Sequence, residues 1–593
     1  MDKRNVLYGH GVVPGIVIGR AHILDGADVL TSSRKRIAPE QVKEEIQRFQ
    51  GAVEGAWRQL EDIKEQLVGG SKDPGHILEA HQMMLKDEEL QKSIRKFIQN
   101  DLINSEWAVQ KTLAQWEERF LSVENEYLRE RFSDLKFVCT RLLRVLSGEN
   151  PSVITPPPDA IIVAQELSPA DTILLGRNAV AGLVLTSGGK TSHTVIIAKA
   201  FEIPTIVGVK DATANIGEGD LLILNGHKGE IVVNPDARLV IEYRAHSYRI
   251  IARDQALLEK SRQPAVTLDH VRIHVMANLD FIDEIDKARD HGAEGVGLYR
   301  SEFVFLVHEQ DITQEDVHFF NARELVANWT LSGPLTLRTF DMGGDKFPLR
   351  SPEQREPNPA LGERSLRLAL AHPTIFKAQV RGFLRALSEN PRVLMRIMFP
   401  LVTSVTEFLK ARSLVAECER ELIEEGYDIP KHYQVGAMLE VPAALMAADA
   451  LAKHCQFFSI GSNDLIQYSL AVDRGNEKVA YLYQGLHPGI LKMVEYAIRA
   501  ATNAGVDIAL CGDLATEPIP ALLLLGLGLR VFSIPPVFIP YAKEFLRQLN
   551  ISEIEHIARE ALTLPCADDI EAFVRLKMGS RLQDSLWAEM MEF

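Results

Sequence analysis

Several residues in the second half of the chain have the types needed to hold a small phosphorylated acid. Arg300 and Arg338 are fork-shaped permanent cations, suited to bidentate binding of phosphate or carboxylate. Glu440 and Asp464 are hard oxygen donors. Mg2+ commonly binds through one or two carboxylates plus substrate phosphate oxygens. Asn463 adds a neutral amide for a phosphate oxygen. Arg474 lies ten residues beyond Asp464, in DRGN, and is placed to fold back as a further clamp. The set describes a site for a highly anionic phosphorylated acid with Mg2+. Cys511, in ALCGD, has two readings. A lone Cys in an apolar run is most often a small core residue. As a functional group it would give a proton to a carbanion or enolate formed at the site.

A second motif is GGKTSHTVIIAKA, Gly188 to Ala200. Its glycines allow a tight turn, and Thr191 or Ser192 can cap a following helix. His193 then falls in the first helical turn, where free N–H groups and the positive dipole end favour anions. An imidazole carrying a phosphoryl group is stabilised there. The same dipole keeps the free imidazole neutral, as a nucleophile requires. The plainer reading is a capped helix with an incidental histidine.

The elements that must position these residues follow from periodicity. From Pro264 to Phe593 eight apolar runs of strand length recur: VRIHVMANL, GVGLYR, LTLRTFD, LMRIMFPL, VGAMLEV, FFSIGSND, IALCGD and RVFSI. Most are followed by helical patterns, so a (β/α)8 barrel is expected. Asn278, Arg300, Arg338, Glu440, Asn463 with Asp464, and Cys511 end six of these runs. In a barrel those ends share the face where active sites form.

The first half is organised differently. VVPGIVIGRAHIL, Val12 to Leu24, reads as two short strands or a bent one. Pro39 to Gly148 carries helical spacing and predicts an insert of roughly four helices. After the Pro-rich PSVITPPPDA, β and α patterns alternate as AIIVAQEL, AVAGLVLTS, a helix from about Ser192, PTIVGV, DLLILNG and GEIVVN. This predicts a compact α/β layer that the first strands rejoin. The charged stretch from Asp236 to Gln263 reads as a linking helix. The fold class is therefore multidomain α/β. The units expected are an α/β domain over 1–30 and 150–235, a helical domain over 31–149, a linker over 236–263 and the barrel over 264–593.

Bulk properties exclude some classes. At 593 residues a single compact domain is not expected. The net charge of -16 argues against broad nucleic-acid or anionic-membrane binding, which needs a basic surface. The five cysteines are scattered, with no CxxC, so neither a disulfide framework nor a zinc site is suggested. Met1 to His10 has no apolar core of signal-peptide length, and no run is long enough to span a membrane. A reduced cytoplasm is the default location.

The two constellations together resemble phosphoenolpyruvate-protein phosphotransferase, enzyme I of the bacterial sugar phosphotransferase system. The similarity runs over nearly the whole chain. GGKTSHT looks like the family's phosphohistidine loop. GAEGVGLYRSEF, RTFDMGGDK, NPALGERSLR, IMFPLV, MLEVPAA, FFSIGSNDLIQYSLAVDRGN and LCGDLA look like signatures of its phosphoenolpyruvate-binding barrel. The resemblance implies that His193 is phosphorylated (a tele-phosphohistidine) and that Thr172, in SPADT, orients it. It implies that Arg300, Arg338, Asn463, Asp464 and Arg474 bind phosphoenolpyruvate, with Arg364 close by. Glu440 and Asp464 are expected to hold Mg2+, and Cys511 to protonate the enolate to give pyruvate. The helical insert is expected to dock HPr, the small acceptor protein. Acidic Asp87, Glu88 and Glu89 suit a basic partner there, though a solvated helix face fits as well. Dimerisation through the barrel is the family habit.

There are departures. Lys190 stands where an Arg is common, Glu363 where an apolar or aromatic residue is expected, and Asp513 where Glu is usual. None removes an essential group. The implied reaction is ping-pong: phosphoenolpyruvate phosphorylates His193, which phosphorylates a histidine of HPr. His193 must then serve two sites, so the α/β domain is expected to swing, with hinges near Gln165 to Thr172 or in Asp236 to Gln263. Pyruvate phosphate dikinase and phosphoenolpyruvate synthase share the histidine domain and barrel but need a nucleotide-binding domain, for which no segment is found.

Overall fold

The run AIIVA, Ala160–Ala164, is apolar at every position and buried at every position. Such a run suits a strand covered on both faces. It forms β4 of an eight-stranded sheet. The other strands are β1 (Val6–Tyr8), β2 (His10–Val13), β3 (Ile16–Leu24), β5 (Gly182–Leu185), β6 (Thr205–Val207), β7 (Leu221–Asn225) and β8 (Glu230–Val233). Their order is β1-β8-β7-β3-β4-β5-β6-β2. Strands β3 to β6 run parallel, with Arg20 opposite Ala160 and Leu24 opposite Ala164. The first strands thus rejoin the later ones, as expected.

The computed structural model describes residues 6–24, 34–65, 73–121, 126–148, 156–157, 159–177, 180–187, 193–201, 203–282, 284–302, 312–343, 358–474, 476, 478–583, 585 and 587. The chain forms two compact units, 1–252 and 253–592.

In the first unit the described residues of the insert between β3 and β4 form five α-helices, against the roughly four expected. They are α1 (Val42–Glu65), α2 (Asp73–Lys86), α3 (Glu88–Asp101), α4 (Ser105–Leu121) and α5 (Glu126–Leu146). A single residue separates α2 from α3. The Asp87 carboxylate caps α3 by accepting from the Leu90 N–H at 2.7 Å. Phe49, Leu60, Ile94, Ile98 and Leu142 form the core of this insert. Ala170, Ile173 and Ile197 join the same core. They come from α6 (Pro169–Arg177) and α7 (His193–Ala200) of the α/β layer. Helix α6 was not expected from periodicity. The predicted linking helix spans Ala237–Ser261.

In the second unit all eight predicted runs are strands of one closed parallel barrel. They are β10 (Arg272–Leu279), β11 (Val296–Arg300), β12 (Leu335–Arg338), β13 (Met395–Phe399), β14 (Gln434–Leu439), β15 (Phe457–Ile460), β16 (Asp507–Leu510) and β17 (Val531–Ile534), preceded by a short β9 (Ala265–Val266). Each pairs with its neighbour in sequence, and β17 and β11 both pair with β10, which closes the ring. Buried Leu, Ile, Val, Ala and Phe from strands and outer helices make one continuous core. No helix among the described residues is long and apolar enough to cross a membrane. All five cysteines are free thiols.

Candidate active site

The barrel carries the predicted residues on the carboxyl ends of its strands. Arg300 ends β11 and Arg338 ends β12. They sit opposite one another in the ladder. Two adjacent like charges destabilise a sheet unless anions compensate them. Carboxylates just past the strand ends do so. Arg300 Nη1 lies 3.2 Å from Asp280 Oδ1. Arg338 pairs with Glu302, and its Nη1 lies 3.1 Å from Asp341 Oδ2. Asp341 also takes Arg364 Nη2 at 2.7 Å. The same nitrogen reaches Asp464 Oδ2 at 3.1 Å. One chain of contacts, Glu302–Arg338–Asp341–Arg364–Asp464, therefore crosses the mouth of the barrel.

This network sets the charge states. Burial alone would raise the Asp341 carboxyl, but Arg338 and Arg364 outweigh it and hold it well below the usual carboxylate range. Burial opposes the Arg338 cation too, and Glu302, Asp341 and Glu440 outweigh that. Glu440 goes the other way. Burial pushes its carboxyl well up, and Asp464 and Asp341 push it further. One Glu440 oxygen accepts the Leu401 N–H at 2.6 Å.

Arg338 Nε and Arg300 Nε are buried and have no hydrogen-bond partner. Buried donors are nearly always satisfied, so unpaired ones on neighbouring cations mark where an anion fits.

Helix Ser462–Leu470 follows β15 after a single glycine and brings Asn463 and Asp464 to the same face. The Asn463 side-chain oxygen accepts the Asp513 N–H at 2.8 Å, which turns its NH2 group the other way. Gly512 permits this contact. A Cβ there would lie 2.6 Å from the Ser462 nitrogen and 2.9 Å from Asn463 Oδ1. Gly512→Ala should destabilise the protein by about 1–3 kcal/mol, the usual effect of overpacking. Urea denaturation reads it, and an unchanged midpoint would contradict this packing. Arg474 hydrogen-bonds the Tyr483 hydroxyl and only approaches Asp464. Its side chain is 50% exposed and lies 3.8 Å from Asp464.

Cys511 follows β16 and is buried against Leu298, Met398, Met438 and Phe457. The Ser459 hydroxyl donates to its sulfur at 3.1 Å. Asn278 Nδ2 donates to its carbonyl at 3.0 Å. Burial pushes the thiol above its ordinary value. The group is a protonated acid in an apolar wall, with a donor ready for the thiolate.

In the first unit His193 opens α7, while its side chain and residues 188–192, including Lys190, Thr191 and Ser192, lie outside the described ones. Thr172 is buried in α6, and its hydroxyl donates to the Ser168 carbonyl at 2.9 Å. Thr194, beside His193, donates to the Leu167 carbonyl at 2.8 Å and ties α7 to the segment before α6.

Sequence reasoning did not single out Glu302, Asp341, Ser459 or Tyr468. The available signal was spacing: a carboxylate two residues past Arg300, another three past Arg338, and a tyrosine four past Asp464. Glu363, noted as a departure, is half-buried and lies 3.6 Å from His372.

Comparison with known proteins agrees along the whole chain. A profile described as "PEP-utilising enzyme, N-terminal" matches residues 8–131, "PEP-utilising enzyme, mobile domain" matches 156–229, and "PEP-utilising enzyme, PEP-binding domain" matches 255–551. The phosphoenolpyruvate-protein phosphotransferase of Bacillus sp. (strain S) is 35% identical over 577 residues, 97% of this chain and 98% of that one. The protein of that name from Haemophilus influenzae is 36% identical over 564 residues, 95% of this chain and 97% of that one. A solution structure of Enzyme I (nEIt) is 32% identical, covers 41% of this chain and 99% of its own, and has a TM-score of 0.35. Identity of this depth, carried end to end across both chains, makes this protein a member of the phosphoenolpyruvate-protein phosphotransferase family, and so a transferase.

Proposed function

We propose that this chain takes the phosphoryl group of phosphoenolpyruvate onto His193, releases pyruvate and passes the group to a histidine of an HPr-type carrier. This would be the first step of a phosphotransferase system. The observation that supports it most is the pair of opposed arginines, Arg300 and Arg338, with buried unpartnered Nε groups. They share a barrel face with two carboxylates and a buried thiol.

In the first step the bridging P–O bond breaks and an N–P bond forms at His193. The electron pair stays on the departing enolate, and Cys511 supplies the proton that converts it to pyruvate. Arg300, Arg338, Arg364, Asn463 and Arg474 bind and orient the anion, as phosphoryl transfer requires. Thr172 orients His193. Glu440 and Asp464 would hold Mg2+. Their fit is electrostatic: burial and the neighbouring Asp464 disfavour the charge of Glu440, which a cation reverses. Among the described residues no three His, Cys, Asp or Glu side chains are grouped to hold a metal by themselves. Two carboxylates suit an ion that keeps water and phosphate oxygens as its remaining ligands. Such an ion supplies charge neutralisation at the phosphoryl oxygens.

On this reading 1–30 and 150–235 form the swivelling phosphohistidine domain, 31–149 the HPr-docking domain, 236–263 the linker, and 264–593 the substrate-binding and dimerisation domain. The location is cytoplasmic. Incubation with labelled phosphoenolpyruvate and Mg2+ tests the proposal. The wild type should take up an acid-labile label, and His193→Ala none. Equal label on both would refute it.

A further inference from the structure

The helix Ser462–Leu470 carries Asp464 in its first turn and Tyr468 one turn later. Residues four apart lie on one face of a helix. Both reach the same guanidinium. Asp464 Oδ2 takes Arg364 Nη2 at 3.1 Å, and the Tyr468 hydroxyl takes Nη1 at 3.1 Å. A guanidinium has only donors, so the phenol oxygen must accept there. The single phenol hydrogen goes to the Ala360 carbonyl at 2.7 Å, and a carbonyl can only accept. The polarity of this hydroxyl is therefore dictated from both sides. Burial pushes the phenol up to about 12, so the hydrogen stays in place at neutral pH.

The two partners belong to one segment. Ala360 lies in the short turn Pro359–Leu361, and Arg364 follows three residues after the turn ends. The segment turns sharply where it delivers the arginine. Ser365 adopts φ 54°, a conformation that disfavours a side chain. Gly343 pairs with Arg364, and a Cβ at Gly343 would lie 2.1 Å from Arg364 Cβ. The remaining nitrogens of Arg364 are also engaged. Nη2 is shared with Asp341 at 2.7 Å, and Nε faces Ser365 Oγ at 3.4 Å.

We infer that Tyr468 is the positioning residue for Arg364, fixing both its guanidinium and the turn that presents it to the anionic substrate. The inference rests on reading Arg364 as a substrate-binding group. A long side chain ordered before substrate arrives loses less freedom on binding. The phenol supplies that order through a neutral contact, so it adds no charge to compete with the substrate.

Tyr468→Phe removes only the hydroxyl and keeps the ring. The expected result is a KM for phosphoenolpyruvate raised about tenfold, the worth of one hydrogen bond to a charged group. The turnover number should stay within about threefold, since Tyr468 touches no reacting atom. Phosphoryl transfer from phospho-His193 to the acceptor should not change, because it does not use this contact. The decisive readout is the pair with Arg364→Ala. In that background Tyr468→Phe should raise KM no further. An unchanged KM in the single variant, or an equal rise in both backgrounds, overturns the role of Tyr468 and leaves Arg364 as a substrate group. If Arg364→Ala itself leaves KM unchanged, the reading of Arg364 fails and this inference falls with it.

Discussion

Replacing Arg338 by methionine should lower phosphoryl transfer from phosphoenolpyruvate about a thousandfold and destabilise the fold by about 3–5 kcal/mol. The two effects have separate causes. The rate falls because the substrate loses a buried cation placed where charge must be neutralised. Stability falls because Glu302 and Asp341 lose their partner inside the protein, where an unpaired carboxylate is costly. Arg338→Lys should recover only part of either loss. A point charge on a flexible stem cannot serve Glu302, Asp341 and a substrate oxygen from one planar fork. The double variant Arg338→Met, Glu302→Gln separates the effects. It should regain part of the stability and none of the rate. Urea denaturation and pyruvate formation measure the two.

The pH dependence follows in sign. Asp341 is held below its ordinary value of 3.8 by Arg338 and Arg364. A depressed group adds stability above its unfolded pKa and loses it as pH falls through the folded one. The wild type should lose this contribution below about pH 4, and Arg338→Met should lose less of it. A near-normal rate in Arg338→Met would exclude the arginine from the reaction.

The barrel was legible because most positions of its strands are buried and apolar. A polar residue that ends such a strand stands out, which is how Arg300, Arg338, Glu440 and Cys511 were found. What lay across the mouth was not legible. Glu302 and Asp341 look like the solvated start of a loop. Their partner is set by which strand stands next to which, and that is a property of the closed ring. The helix count erred for a local reason. Only one residue, Asp87, stands between α2 and α3, and its capping bond to Leu90 divides them. Helix α6 was missed although its start is readable. Ser168 donates no period, but Ser followed by Pro is a capped first turn, and its hydroxyl accepts the Asp171 N–H at 3.1 Å. Arg474 was expected as a clamp on DRGN spacing, and it stands half exposed beside Asp464.

Cys511→Ala should slow pyruvate formation about a hundredfold or more, the usual worth of a positioned general acid. The argument turns on which protonation state the wall of the barrel favours. Burial disfavours a thiolate and raises the group above its ordinary 9.0, so it is a loaded acid at neutral pH. A raised pKa also fixes the sign with rising pH. Both the acid form and its contribution to stability persist below the ordinary value and are lost as pH climbs through the folded one. When the proton leaves, the Ser459 hydroxyl at 3.1 Å is already aimed at the sulfur. Arg338 also favours the anion, so the thiolate is held until water restores it. Ser459→Ala should therefore slow pyruvate formation without touching phosphoenolpyruvate binding. The face of protonation distinguishes an acid from a packing residue. With phosphoenolpyruvate labelled stereospecifically at C3 in deuterated water, the wild type should deliver deuterium to one face. Cys511→Ala should deliver it to both, because the enolate then takes its proton from solvent. Delivery to a single face by the variant would assign the proton to another group and return Cys511 to the core.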